Sequence, residues 1–106
     1  MIDRLRGNSV TTLRIEHAIS DFSTWKGAFD RFAPARAQVG VRRYRIFRPV
    51  DNPAYIMLDL DFDDGSAAEA FLAFLRREVW GSVQASPALL GTPQGRIIDA
   101  VERHEE

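Results

Sequence analysis

Residues 54–63 read AYIMLDLDFD. Ile56, Leu58, Leu60 and Phe62 alternate with Tyr55, Met57, Asp59 and Asp61. A period of two puts the first group on one face of a strand and the second on the other. The first face is oily throughout. The second sets a phenol and a thioether beside two carboxylates, a mixture that suits neither a dry core nor bare solvent.

Just before it, residues 41–49 (VRRYRIFRP) are rich in strand formers, and Val50-Asp51-Asn52-Pro53 makes a tight turn. The two runs form a hairpin. If the hairpin turns on Asp51 and Asn52, Phe47 lies opposite Ile56 and Val41 opposite Phe62, on the oily side. The other side then pairs Arg42 with Asp61, Tyr44 with Asp59, Ile46 with Met57 and Arg48 with Tyr55. Arg43 and Arg45 fall on the core side, where their stems can lie on apolar surface with the heads in water. A bulge would exchange the two sides for part of that strand.

Residues 10–19 (VTTLRIEHAI) alternate in the same way. Leu13, Ile15 and His17 share one face; Thr12, Arg14 and Glu16 share the other. The expected mixed face is therefore Arg14, Glu16, Arg42, Tyr44, Ile46, Tyr55, Met57, Asp59 and Asp61. Such a face fits a partner surface or the wall of a wet cavity.

In DFSTWKGAFDRF, residues 21–32, Phe22, Trp25, Phe29 and Phe32 recur at helical spacing. Ser20 or Asp21 can cap that helix. Pro34 ends or bends it near residue 33, with an irregular turn over 35–38 and a break at Gly40. A second helix, AAEAFLAFLRREVW (67–80), has Asp63, Asp64 and Ser66 as candidate caps. It turns Phe71, Phe74, Leu75 and Val79 inward and breaks at Gly81. SVQASPALLGTP reads as a loop and 95–103 as the last strand. The order is βαββαβ. With right-handed connections both helices cover one sheet face. The expectation is an α+β, ferredoxin-like domain: an antiparallel four-stranded sheet with two helices on one face. It spans 10–103, with a loose arm over 1–9 and a solvated tail over 104–106.

At 106 residues the chain is one domain. Net charge is −1, and no basic stripe invites a phosphate backbone. There is no cysteine, hence no disulfide, thiolate metal site or cysteine nucleophile. No apolar run has the length of a membrane span. These features predict a cytoplasmic protein with no nucleic-acid or membrane partner. All but one of the 14 basic residues are arginine, a bias that GC-rich codons also produce.

The run RIEHAISDFSTWKGAFD, residues 14–30, resembles the first strand and helix of small bacterial proteins of the dimeric α/β-barrel superfamily, near the antibiotic-biosynthesis-monooxygenase-like proteins. The tail FLRREVWGSVQASPALLGTPQGRIID is similar to the same group. In that superfamily two sheets pack face to face, so the resemblance implies a homodimer. Its members include cofactor-free monooxygenases, polyketide cyclases, haem-degrading enzymes and muconolactone isomerases, as well as proteins without known activity.

Few residues carry chemistry. His17 ends the first strand on the core side and is a weak candidate for a general base. It could equally bond a backbone carbonyl and fix the strand–helix corner. His104 lies in the tail. Two histidines so placed make no metal site, and no cofactor is expected. Asp59 and Asp61 could form an acid–base pair, but they more simply answer Arg42 and Arg14. Gly91–Gly95 lacks the ending of a phosphate loop, and no serine has a nucleophile setting.

Three functions compete. The first is a cofactor-free enzyme, monooxygenase-like or cyclase-like, with a small organic molecule in a pocket between sheet and helices, lined by His17, Trp25, Phe29, Phe71, Phe74 and Trp80. The second is a non-catalytic small-molecule-binding or regulatory module. The third, RNA binding, needs aromatics where Asp59 and Asp61 stand, and is rejected.

Overall fold

In a computed structural model, which describes residues 10–105, the run at 54–63 becomes an inner strand of one sheet. The expected arm and the last residue of the expected tail lie outside the described residues. The elements are β1 (Thr11–Ile19), α1 (Phe22–Arg31), α2 (Ala33–Gln38), β2 (Val41–Phe47), β3 (Tyr55–Phe62), α3 (Gly65–Phe74), a π-helical turn (Leu75–Val79) and β4 (Leu89–Asp99). The strands pair in the order β2-β3-β1-β4, all antiparallel. This is the ferredoxin-like arrangement.

Local chemistry accounts for the elements. The Asp21 carboxylate accepts from the backbone N–H of Thr24 at 2.8 Å, and Asp64 does the same for Ala67 at 2.8 Å. Each cap contributes about 1 kcal/mol. α1 ends at Arg31, close to the expected break, and Pro34 sits in the first turn of α2, where its missing N–H leaves no bond unmade. Residues 33–38, expected as an irregular turn, are thus a short second helix. Gly40, at φ +94°, then reverses the chain into β2.

The core lies between the sheet and the helices. Leu13, Ile15, Leu58, Leu60 and Phe62 rise from the sheet to meet Phe29, Ala68, Phe71 and Leu72. A smaller cluster, Ile19, Ile56 and Ala88, joins it through Trp25 and Ile46. Each buried Leu, Ile or Phe among them contributes roughly 1.5–3 kcal/mol.

Two further expectations need correction. First, the register of the hairpin shifts between Val41 and Arg43. Val41 does face Phe62, but beyond the bulge Arg43 faces Asp61, Arg45 faces Asp59 and Phe47 faces Met57. Arg42, Tyr44 and Ile46 therefore leave the mixed face, and Arg43, Arg45 and Phe47 replace them. The reason is the price of burying charge. Without the bulge two guanidinium groups would point at the core. With it they reach two carboxylates, while Tyr44 meets the Phe29 ring edge-on at 4.9 Å and Ile46 packs on the core. Arg42, at the bulge, pairs with Asp63 at 3.2 Å.

Second, β4 runs from Leu89 to Asp99, not over 95–103. Leu89 and Leu90 pair with Ile19 and Ala18, and an irregularity opposite Glu16 to Ala18 absorbs the intervening residues. Gly91 takes φ +70° there. Pro93 is tolerated because β4 is an edge strand.

Candidate functional site

The helix-covered side of the sheet holds a cavity of about 80 Å³. Ile15 and His17 of β1 and Ile56 and Leu58 of β3 make its floor. Trp25, Phe29 and Phe32 come from the α1 stripe, and Phe71 from α3. The π-turn supplies Leu75 and Val79, followed by Trp80. Residues 85–89 close one end. Of the six side chains expected to line a pocket, His17, Trp25, Phe29, Phe71 and Trp80 do meet there. Phe74 does not; it stacks on Phe71 with ring centroids 5.8 Å apart.

The π-turn explains how Trp80 arrives. The Trp80 N–H bonds the Leu75 carbonyl at 2.8 Å, one residue wider than an α-helical turn. The extra residue rotates the end of the helix and brings Leu75, Val79 and Trp80 to one wall. Such single-turn π segments recur at functional sites.

His17 is buried, at 6% exposure. One ring nitrogen, Nδ1, lies 2.8 Å from the Ala18 carbonyl, so Nδ1 carries the proton and donates. Nε2 is then an acceptor. It has no protein partner, and no buried side-chain nitrogen or oxygen among the described residues lacks one, so Nε2 is open to solvent in the cavity. Burial holds its pKa below the ordinary histidine value, against a smaller opposing effect of the Ala18 bond. At neutral pH the ring is an uncharged base.

Arg36 also lines the cavity, at 6% exposure. Its guanidinium carbon lies 3.6 Å from the centre of the Phe29 ring and 5.4 Å from that of Tyr44. Its Nη1 donates to the Phe29 carbonyl at 2.5 Å. Sequence reading misses this residue because Pro34 marks the expected end or bend of the stripe. The signal was there: positions 29, 32 and 36 continue the same spacing.

The open side of the sheet carries a network of charges. Arg14 and Arg45 both bond Asp59, Arg43 bonds Asp61 at 2.9 Å, and the Thr12 hydroxyl donates to Asp61 at 2.7 Å. The Tyr55 hydroxyl donates to Glu16 at 2.7 Å. Arg14, and less strongly Arg45, hold the Asp59 carboxyl below the usual carboxylate range against desolvation. The two aspartates thus answer arginines on the face opposite His17 and share no space with it. Among the described residues no three histidine, aspartate or glutamate side chains converge to hold a metal ion. No described helix is long and apolar enough to cross a membrane.

No family model matches the chain, and no curated protein does. Solved structures do. A mutant of SnoaB, a cofactor-independent oxygenase from Streptomyces nogalater, superposes with a TM-score of 0.65 at 19% identity, over 93% of this chain and 99% of that one. A dimeric ferredoxin-like protein from an uncultured marine organism gives 0.65 at 7% identity, over 95% and 96%. Another of the same description gives 0.61 at 15% identity, over 91% and 98%. At such identities the likeness is one of fold. The chain has the ferredoxin-like fold of these dimeric and oxygenase-type proteins, the one implied by the resemblance of residues 14–30.

Proposed function

We propose that the chain is a homodimer that binds a small organic molecule in the cavity and acts on it as a cofactor-free enzyme of the monooxygenase or cyclase kind. The observation that carries this reading is the His17 Nε2, uncharged and without a protein partner, at the wall of an oily cavity. A base so placed can take a proton from an acidic C–H or phenolic O–H. The proton goes to Nε2 and the electron pair stays on the substrate as an enolate or phenolate. With dioxygen as co-reactant, a ring CH2 then becomes a carbonyl and the second oxygen atom leaves as water. Without it, the carbanion can close a ring on a carbonyl of the same molecule. The likeness to a cofactor-independent oxygenase supports the first route.

The homodimer half rests on the open sheet face, where Phe47, Tyr55 and Met57 lie among arginines and aspartates. Phe47 is 45% exposed in the lone chain. Neighbours in fold described as dimeric support it.

A second reading, a binding module without chemistry, is favoured by one feature. Among the described residues the only hydrogen-bond partner of the His17 side chain is a backbone carbonyl, and no carboxylate of theirs lines the cavity to strengthen it as a base. Oxygen uptake and substrate loss, measured with phenols and aromatic polyketides, separate the two. His17→Asn keeps a donor for the Ala18 carbonyl and removes Nε2. Turnover that falls by about 10²–10⁴ in that variant supports the enzyme. Binding without turnover supports the module, and no binding by any such compound overturns both.

A further inference from the structure

Arginines on this protein generally have an acid within reach where they are crowded. Arg14 and Arg45 hold Asp59, Arg43 holds Asp61, and Arg42 holds Asp63. Arg36 differs from these in being buried. Yet among the described residues no carboxylate lies within 4.0 Å of it. Asp30, the acid whose charge it feels, is gripped by Lys26 at 2.7 and 2.9 Å. No acid lines the cavity.

A buried cation without a counter-ion is destabilising, and part of that burden is met locally. The Phe29 ring under the guanidinium offers its negative face, and the Phe29 carbonyl takes one N–H. A guanidinium has five N–H donors in a planar fork. Nε and Nη2 have no partner among the described residues, and since no buried nitrogen there lacks one, both keep contact with solvent; Arg36 borders the cavity and also an outer groove with Ala33, Ala37 and Val41. That open edge suits the two oxygens of a carboxylate, or the oxygen of a phenolate. The rest of the cavity is aromatic and aliphatic, with the uncharged His17 as its other titratable group.

We infer that the cavity selects an aromatic monoanion, its ring among Trp25, Phe29 and Trp80 and its charged oxygen on the open edge of Arg36. This rests on the cavity being the ligand site, and it names the class of ligand. In the enzyme reading Arg36 would also stabilise the enolate or phenolate left when His17 takes the proton. The volume of about 80 Å³ is smaller than the roughly 150 Å³ that takes benzene, so entry of a ring must move a wall side chain. Trp80, half-buried beside Gly81, stands where such a movement would change tryptophan fluorescence.

The test compares benzoate with benzamide, which has the same shape and no charge, by calorimetry and tryptophan fluorescence at pH 7.5. Benzoate is expected to bind the wild-type protein about tenfold tighter or more, and the preference to vanish in Arg36→Met and survive in Arg36→Lys. Near-UV circular dichroism checks that both variants fold. If Arg36→Met does not fold, a shift of the Arg36 Nε–H resonance with benzoate but not benzamide carries the same result in the wild type. Equal binding of the two compounds, or a preference that persists in Arg36→Met, overturns the anion site and leaves the cavity as a ligand site. Failure of both compounds to bind overturns the cavity reading itself, and this inference with it.

Discussion

Arg14 closes Nε and Nη2 on the two carboxylate oxygens of Asp59, each at 2.8 Å, across the β1–β3 register that sets them opposite one another. The pair is asymmetric. The Asp59 side chain is 2% exposed and that of Arg14 is 48% exposed. Removing the arginine therefore strands a buried carboxylate, whereas the arginine itself could return to water. Arg14→Ala should destabilise the fold by about 1–2 kcal/mol, limited because Arg45 remains and because Arg14 is half in solvent. Urea unfolding of the two proteins measures it. An unchanged midpoint would show that Arg45 suffices alone.

Two groups make the protein sensitive to acid. Asp59 has its pKa lowered in the fold, so its contribution is present above the ordinary aspartate value and is lost as pH falls through the folded value. His17 has its pKa lowered by burial, so the unfolded chain binds its proton first. Stability therefore starts to fall as pH drops below the ordinary histidine value, about 6.5, before Asp59 protonates. Thermal melts of His17→Asn should show a smaller loss between pH 7.5 and 5.5 than the wild type. A parallel loss in both proteins would contradict a buried neutral ring.

If two open sheet faces pack together, gel filtration at micromolar concentration gives a dimer. Phe47→Glu should then elute as a monomer with unchanged far-UV circular dichroism, because Phe47 stands on that face opposite Met57. A wild-type monomer at that concentration rules the arrangement out.

Gly95 of β4 lies against Leu72 of α3. A Cβ built there would meet Leu72 Cδ1 at 2.6 Å and Trp80 at 3.5 Å. Leu72 is packed into the core and has little room to yield. Gly95→Ala should cost about 1–3 kcal/mol. The same substitution at Gly27, where nothing lies within 4 Å, should stabilise by up to about 1 kcal/mol, since Gly27 is within α1. Thermal melts of the pair distinguish close approach from glycine content alone.

Much of this was legible before any coordinates. The period of two at 54–63 and 10–19 and the aromatic stripe at 22–32 are local signals, and each became the element it announced; among the cap candidates the structure uses Asp21 and Asp64. His17 and four of the five aromatics expected in a pocket meet in the cavity. Phe74 follows Phe71 by one turn and packs on that ring beside the core, so helical spacing alone does not carry it into the cavity. The face assignments of Arg42, Tyr44 and Ile46 failed for a different reason. A bulge adds one residue to a strand and leaves no residue type as its mark. Arg36 was hidden by Pro34, which signals a bend but not whether the helical spacing resumes.

From its own order of residues the chain sets which positions are oily and at what period, hence the order of the four strands and of the two long helices. Those properties arise from neighbours three or four residues apart, or two apart on a strand. Which carboxylate meets which arginine, that Trp80 turns onto the wall beside His17, and that Arg36 is buried without an acid were decided only when distant segments packed. Burial and charge pairing depend on partners dozens of residues away, and the choice between registers is made by the whole core at once.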